Sequence, residues 1–124
     1  SGQIGGEAWA MGVGKAEVSD ADSKISAFFY SSESDEPDPC QIFFSSLARI
    51  EARLPKETGI YSLPFDNPRD FTFQPADGSF HLSESGQVQI STVSSSLIAG
   101  TITARFDDGN FVEGSFALQV CSDN

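Results

Sequence analysis

Histidine, tryptophan and cysteine are scarce in this chain of 124 residues, which has one His, one Trp and two Cys. A zinc site needs several His or Cys ligands at close spacing, and that pattern is absent. A Ser or Cys nucleophile needs a neighbouring base. His81 is the one imidazole, it lies in a predicted strand, and no Gly-x-Ser-x-Gly elbow occurs. We therefore predict that the chain is not an enzyme and has no catalytic residue, metal or cofactor.

Basic residues are also few, because 7 Lys and Arg stand against 18 Asp and Glu, giving a net charge of −11. Nucleic acids and anionic membrane surfaces are bound through clustered positive charge, so both are excluded as partners. The surplus acid favours solubility and leaves a cationic partner open. No apolar run of about 18 residues occurs, and we predict no transmembrane segment.

The apolar residues that are present favour strands. Of the chain, 39% is hydrophobic, with 11 Phe, and Phe and β-branched residues suit a pleated, half-buried surface. Short alternating runs recur about every 8–12 residues between Gly, Pro and Asp turns, as in sandwiches and barrels. We predict one all-β domain over residues 1–124. It is an antiparallel β-sandwich or flattened barrel of about eight to ten strands with a C-terminal meander.

Alternation of apolar and polar residues places the individual strands. Before the C-terminal third, the predicted strands cover residues 24–30, 41–46, 49–54, 59–63, 71–74 and 80–82. The segment 49–54 also fits a helix, but six residues are short for one, so strand is favoured. Asp107-Asp108-Gly109-Asn110 predicts a hairpin turn. Phe111 then has the wrong parity to share a buried face with Phe116 and Leu118, which predicts a β-bulge near Gly114.

The two cysteines, Cys40 and Cys121, are predicted to form a disulfide. Cys40 follows an acidic, Pro-rich loop, and Cys121 ends the last predicted strand, so a bond between them would hold two segments that otherwise fray. A disulfide indicates an oxidising compartment. Two reduced, buried thiols remain the alternative.

Aromatic side chains that alternation turns outward mark a possible binding surface. Trp9, Tyr30 and Tyr61 are the candidates, since an exposed aromatic cluster is typical of an interaction face. Acidic clusters suggest a calcium site as a weaker alternative, although none has the spacing of an EF-hand loop. The clusters are Asp20 with Asp22, then Asp35, Glu36 and Asp38, then Asp107, Asp108 and Asn110.

Short motifs in the chain resemble those of small bacterial lipoproteins of uncharacterised function. The motifs are Gly6-Glu7-Ala8-Trp9, Gly59-Ile60-Tyr61-Ser62-Leu63, Ser85-Gly86-Gln87-Val88-Gln89-Ile90-Ser91, Ile98-Ala99-Gly100-Thr101-Ile102-Thr103-Ala104 and Glu113-Gly114-Ser115-Phe116-Ala117-Leu118. The resemblance implies a β-sandwich exported to the periplasm or cell surface and, in the full-length precursor, tethered by a lipidated Cys. It implies no catalytic residues.

The sequence therefore predicts a non-enzymatic, exported cell-envelope protein with a binding or structural role, monomeric, with a protein or glycan partner. Two alternatives remain open. One is a carboxylate-based hydrolase of envelope glycans, which needs two carboxylates about 5–10 Å apart beside Trp9 or Tyr61. The other is a calcium-stabilised adhesion module.

Overall fold

The structure is a computed structural model in which residues 1–18, 24–33, 37–42, 47–64 and 70–121 are described. These residues form eleven strands and a short 3₁₀ helix, Pro39–Gln41. The strands are β1 (Gly2–Ile4), β2 (Glu7–Trp9), β3 (Met11–Val18), β4 (Lys24–Ser31), β5 (Arg49–Pro55), β6 (Gly59–Leu63), β7 (Phe71–Gln74), β8 (His81–Leu82), β9 (Ser85–Val93), β10 (Leu97–Asp107) and β11 (Asn110–Cys121).

The eleven strands belong to one sheet that curls into a half-barrel. Its order is β6-β9-β10-β11-β3-β4-β5-β7-β8, with β1 paired to β11 and β2 paired to β1. The all-β prediction is confirmed, as is the C-terminal meander β9-β10-β11. The single curled sheet is closer to the predicted barrel than to a two-sheet sandwich.

One pairing departs from the predicted antiparallel sheet, because β3 and β11 run parallel where Lys15 faces Gln119 and Cys121 faces Glu17. The β1–β2 hairpin explains the direction. β1 lies antiparallel to β11, β2 reverses against β1, and β3 follows β2 after a single residue, Ala10. A strand that continues β2 without a turn must therefore run along β11 in the same direction.

The inner face of the half-barrel holds the hydrophobic core. Every second residue of the long strands is buried there, and the register aligns these positions across the sheet, so that Gly100 lies between Ile90 and Phe116. Phe29 and Phe116 meet edge to face, with ring centroids 5.4 Å apart. Buried alternation on both sides of a pairing is what fixes strand register.

The segment around residues 49–54 is a strand, as favoured, and not a helix. Ile50, Ala52 and Leu54 all point into the core, while Arg53 is exposed. β5 pairs with β4 on one side and β7 on the other. A period of two residues between buried positions is the mark of a strand with one covered face.

The bulge predicted near Gly114 is absent, and that prediction is wrong. The β10–β11 register runs without a shift from Leu97 opposite Gln119 to Arg105 opposite Phe111. The irregularity lies beside the turn, after Arg105. Val112 shares the buried face with Phe116, and Phe111 lies on the opposite face, 5.8 Å from the Arg105 guanidinium. The parity of Phe111 needed no bulge, because Phe111 lies on the outer face and does not share the buried face of Phe116.

The strand predicted over residues 41–46 is wrong at its start, where Gln41 ends the 3₁₀ helix. Pro39 occupies the first turn of that helix, and the Cys40 N–H donates to the Asp38 carboxylate at 3.0 Å. Proline and an aspartate cap favour such a turn over an extended strand. Residues 43–46 lie outside the described residues.

The predicted disulfide between Cys40 and Cys121 is confirmed. Their Cα atoms are 5.6 Å apart although 81 positions separate them in sequence. The bond ties the 3₁₀ helix to the end of β11. Among the described residues, no helix has the length and apolarity to cross a bilayer.

Candidate functional site

Trp9 is buried, so the prediction that it faces outward is wrong. Its side chain is 5% exposed and belongs to the core cluster, and Nε1 donates to the Ala48 carbonyl at 2.8 Å. The β1–β2 hairpin that carries Trp9 is fixed by two contacts with the β10–β11 turn. The Gly5 N–H donates to Asn110 Oδ1, and the Gly6 N–H donates to the Gly109 carbonyl, each at 2.9 Å. Alternation could not reveal this, since a three-residue strand has too little pattern.

Tyr30 lies on the outer face, as predicted, but it is 4% exposed and so offers no open surface. Phe28 stacks beside it, with centroids 6.3 Å apart. Lys15 Nζ, which lies over the Phe28 ring, donates to the Ile42 carbonyl at 2.7 Å. Burial raises the pKa of Tyr30 to about 12, although the charge of Arg49 acts in the opposite direction. Parity predicted the face of Tyr30 correctly but not its burial.

Tyr61 is partly exposed on β6, the edge strand of the sheet. Its ring packs against the core, and its hydroxyl donates to the Glu57 carbonyl at 2.7 Å. Desolvation, followed by the charge of Glu57, raises the pKa of Tyr61. In the sheet order, β6 and β4 are five positions apart, so Tyr61 and Tyr30 do not form one cluster with Trp9.

Among the described residues, the large aromatic side chain that is exposed is that of Phe80, at 56%. It lies at the end of the loop between β7 and β8, just after a turn in which Gly78 adopts φ +88° and its N–H donates to the Pro75 carbonyl. The Ser79 N–H and hydroxyl both donate to Asp77 Oδ1, at 2.9 and 2.6 Å. These bonds stiffen the loop and hold Phe80 at the surface.

Phe80 separates two concave surfaces. The first, the outer groove, runs across the outer face of β4, β5 and β7 and encloses about 370 Å³. Its lining side chains include Ser26, Phe28, Glu51, Arg53, Thr72, Gln74 and Phe80. The floor is hydrogen-bonded, because Gln74 Nε2 donates to Thr72 Oγ1 and Thr72 Oγ1 donates to the Glu51 carbonyl, each at 3.3 Å.

The second surface, the mouth pocket, lies where β8 approaches β10 and encloses about 570 Å³. It is lined by Pro64, Phe80, His81, Leu82, Ser83, Glu84 and Phe106. The His81 ring stacks on Phe106 with centroids 4.8 Å apart.

Backbone bonds hold the rim of the mouth pocket. Ser83 N–H donates to the Phe71 carbonyl at 3.1 Å, and Glu84 N–H donates to the Arg105 carbonyl at 2.8 Å. The buried Ser83 hydroxyl donates to the Ser85 carbonyl at 3.1 Å. These bonds join β7 to β10 across the rim, so the pocket has rigid walls on both sides.

Comparison with known proteins gives no relative. No protein-family model, curated protein or solved structure matches this chain.

The electrostatic surroundings of the mouth pocket are acidic. Glu84 lines it, and two further carboxylates, Asp77 and Asp107, lie close enough to His81 for its charge to lower their pKa. Hydrogen bonds are the larger cause: one from Ser79 lowers the pKa of Asp77, and one from Asn110 lowers that of Asp107. Both carboxylates therefore stay ionised at pH values below the range in which Asp usually takes up a proton.

The positions of the cysteines and of His81 give little support for nucleophilic catalysis by the described residues. Both sulfur atoms are joined in the disulfide, so the chain has no free thiol. The His81 ring stacks face to face on Phe106. Within the described part of the chain, no three His, Cys, Asp or Glu side chains group as metal ligands would.

Two of the three acidic clusters fall partly or wholly outside the described residues, namely Asp20 with Asp22, and Asp35 with Glu36. Of the second cluster, Asp38 is described, and it caps the 3₁₀ helix. In the third, Asp107 Oδ1 accepts from Gly109 N–H and Asn110 Nδ2, and Asp108 pairs with Arg105. The described carboxylates of these clusters thus accept hydrogen bonds or form an ion pair within turns and a helix cap.

A third groove lies beside Trp9 and contains two carboxylates, Glu33 and Glu113. Both side chains are exposed. A general acid in a glycosidase is usually desolvated by apolar neighbours, and a sugar needs an open aromatic face. The exposure of the two acids and the burial of Trp9 are the reverse of that arrangement.

Proposed function

We propose that this chain is a non-enzymatic, exported protein of the cell envelope that binds a partner through the surface around Phe80. The single observation that carries the proposal is the position of that ring. It is more than half exposed, and it forms a wall of both the outer groove and the mouth pocket.

An exposed aromatic ring between two grooves supports binding on energetic grounds. Covering apolar surface contributes about 25 cal/mol per Å², and aromatic residues in pockets carry much of the binding energy of interfaces. The hydrogen bonds of Ser79 to Asp77 fix the loop before binding, which lowers the entropic cost of ordering it.

Export is supported by the disulfide. Disulfides persist in oxidising compartments and are rare in the cytosol, and this one closes a separation of 81 positions. The resemblance to small bacterial lipoproteins extends the proposal to a lipid-anchored precursor in the periplasm or on the cell surface.

The binding proposal is tested by capturing components of a cell-envelope fraction on immobilised protein. We expect a component that wild type retains and Phe80→Ser loses. Ile60→Ser is the matched control, because Ile60 is also a highly exposed apolar residue, at 62%, but lies on β6 outside both surfaces. If wild type and Phe80→Ser retain the same components in the same amounts, the proposal is wrong.

A second candidate function, glycan hydrolysis, rests on the pair Glu33 and Glu113 in the groove beside Trp9. If these residues are catalytic, wild type releases reducing ends from envelope glycans, and Glu33→Gln and Glu113→Gln each abolish that release. We expect no release by wild type. Release that either variant abolishes would replace the binding proposal with the enzymatic one.

A further inference from the structure

We propose that the mouth pocket takes a lysine or arginine side chain from a basic, extended segment of a partner protein. This inference rests on the proposed function and names the chemistry of its partner. Three features of the pocket support it: the lining, the charge at the rim and the open path that leads past Phe80.

The lining suits the long alkyl stem of a basic side chain. Phe80, Leu82 and Phe106 present apolar surface, and Pro64 borders it on the side of β6. Lys and Arg bury their methylene stems against such surfaces while the charged group stays solvated. Aromatic ring faces also attract cations directly. The volume of about 570 Å³ lies in the range of ordinary ligand pockets.

The charge at the rim has the sign that a basic side chain requires. Glu84 is exposed and lines the pocket, and Asp77 lies in the turn just before Phe80. Arg105, on the neighbouring strand, is directed to Asp108 and to the Phe111 ring. The whole chain carries −11, so long-range steering also favours a basic partner.

The open path points to a protein segment rather than to a small amine. Phe80 is shared by the mouth pocket and the outer groove, so a chain bound in the pocket can continue past that ring. Beyond it lie Gln74 and Glu51, whose amide and carboxylate can hydrogen-bond a polypeptide. β8 is the last strand in the sheet order, so the pocket lies at a sheet edge.

The test is fluorescence anisotropy with a labelled peptide of alternating Lys and Ser, at low and high salt. Its comparators are the same peptide with acetylated lysines and unlabelled lysine amide as a competitor. We expect the charged peptide to bind and the acetylated peptide to bind at least about tenfold more weakly. Lysine amide should compete only at far higher concentration, because it lacks the contacts along the groove.

Point variants separate the pocket from general electrostatics. Glu84→Gln and Phe80→Leu should each weaken binding by about fivefold or more. Glu7→Gln, which removes an equal charge from an exposed site outside both surfaces, should change it less than about twofold. All three sites are exposed, and equal melting temperatures of the variants will establish that the fold is intact.

Three results would overturn the inference: no binding of the charged peptide, equal binding of the acetylated peptide, or equal losses in Glu84→Gln and Glu7→Gln. Lysine amide that competes as well as the peptide would assign the pocket to a small amine. If the peptide fails to bind while Phe80→Ser still loses an envelope component, this inference is wrong and the proposed function stands.

Discussion

Reducing the Cys40–Cys121 bond should destabilise the protein by a measurable amount. The bond closes a separation of 81 positions, for which the chain-entropy relation gives about 4.5 kcal/mol as an upper value. Engineered and natural bonds often deliver less, so we expect about 2–4 kcal/mol. The end of β11 is also held by its pairing with β3 at three aligned positions and by the Val120 N–H, which donates to the Ser96 carbonyl at 3.0 Å, so the reduced protein should stay folded in the absence of urea.

Urea unfolding followed by circular dichroism provides the assay, on oxidised wild type, reduced wild type and the double variant Cys40→Ser, Cys121→Ser. The double variant should match reduced wild type and be insensitive to reductant. The slope of free energy against urea should rise on reduction, because an uncrosslinked denatured chain exposes more surface. Equal midpoints for oxidised and reduced wild type, with both thiols titrated as free, would refute the reasoning.

Three further predictions follow from buried residues. The folded state should lose stability as the pH rises from about 10 to 12. The reason is that Tyr30 keeps its proton in the folded protein up to a pKa of about 12 and loses it near 10 when unfolded, and this difference corresponds to about 3 kcal/mol. Tyr30→Phe should remove that loss, and its persistence in the variant would assign it elsewhere. The fluorescence of the single tryptophan should have its emission maximum at short wavelength and resist quenching by iodide, because Trp9 is buried. Trp9→Phe should lower the free energy of unfolding by about 1–3 kcal/mol, because it removes the hydrogen bond to the Ala48 carbonyl. A loss near zero would count against this. Gly100→Ala should cost more than about 3 kcal/mol in thermal unfolding, because its Cβ would clash with the Gln89 carbonyl oxygen. Gly78→Ala meets open space, but its φ of +88° disfavours a side chain, so it should cost about 1–2 kcal/mol.

Much of the fold could be predicted from the sequence because the alternation of apolar and polar residues in a long strand shows which side chains are buried. In β10 and β11 the alternation spans eleven and twelve residues, and the turn at Asp107–Asn110 lies between them. Such long patterns leave one register that buries the apolar side chains of the inner face together. The disulfide was predictable for a related reason, since both cysteines lie at segment ends that need an anchor.

The candidate site was harder to predict, because alternation shows which face a residue lies on and not what covers that face. Tyr30 illustrates this, since the outer face near it is covered where Lys15 binds the Ile42 carbonyl. Phe80 is the converse case. The Asp77-Gly78 turn just before it was the available signal, but the adjacent strand has only two residues, too few to indicate exposure.

The parallel pairing of β3 and β11 was also beyond the reach of local patterns. It follows from the β1–β2 hairpin, whose strands have three residues each. Strands this short have weak alternation, and the residues of β1 and β11 that pair are more than a hundred positions apart in sequence. Only the folded chain shows that the N-terminus is inserted beside the last strand.

The most direct measurement is site-specific photo-crosslinking in living cells of the native host, with a benzophenone amino acid placed at position 80 or, as the control, at position 60. The exported binding protein proposed for this chain should give a discrete adduct from position 80, in the envelope fraction, and none from position 60. Identical adducts from both positions, or no adduct from either, would contradict the claim that the surface around Phe80 binds a partner.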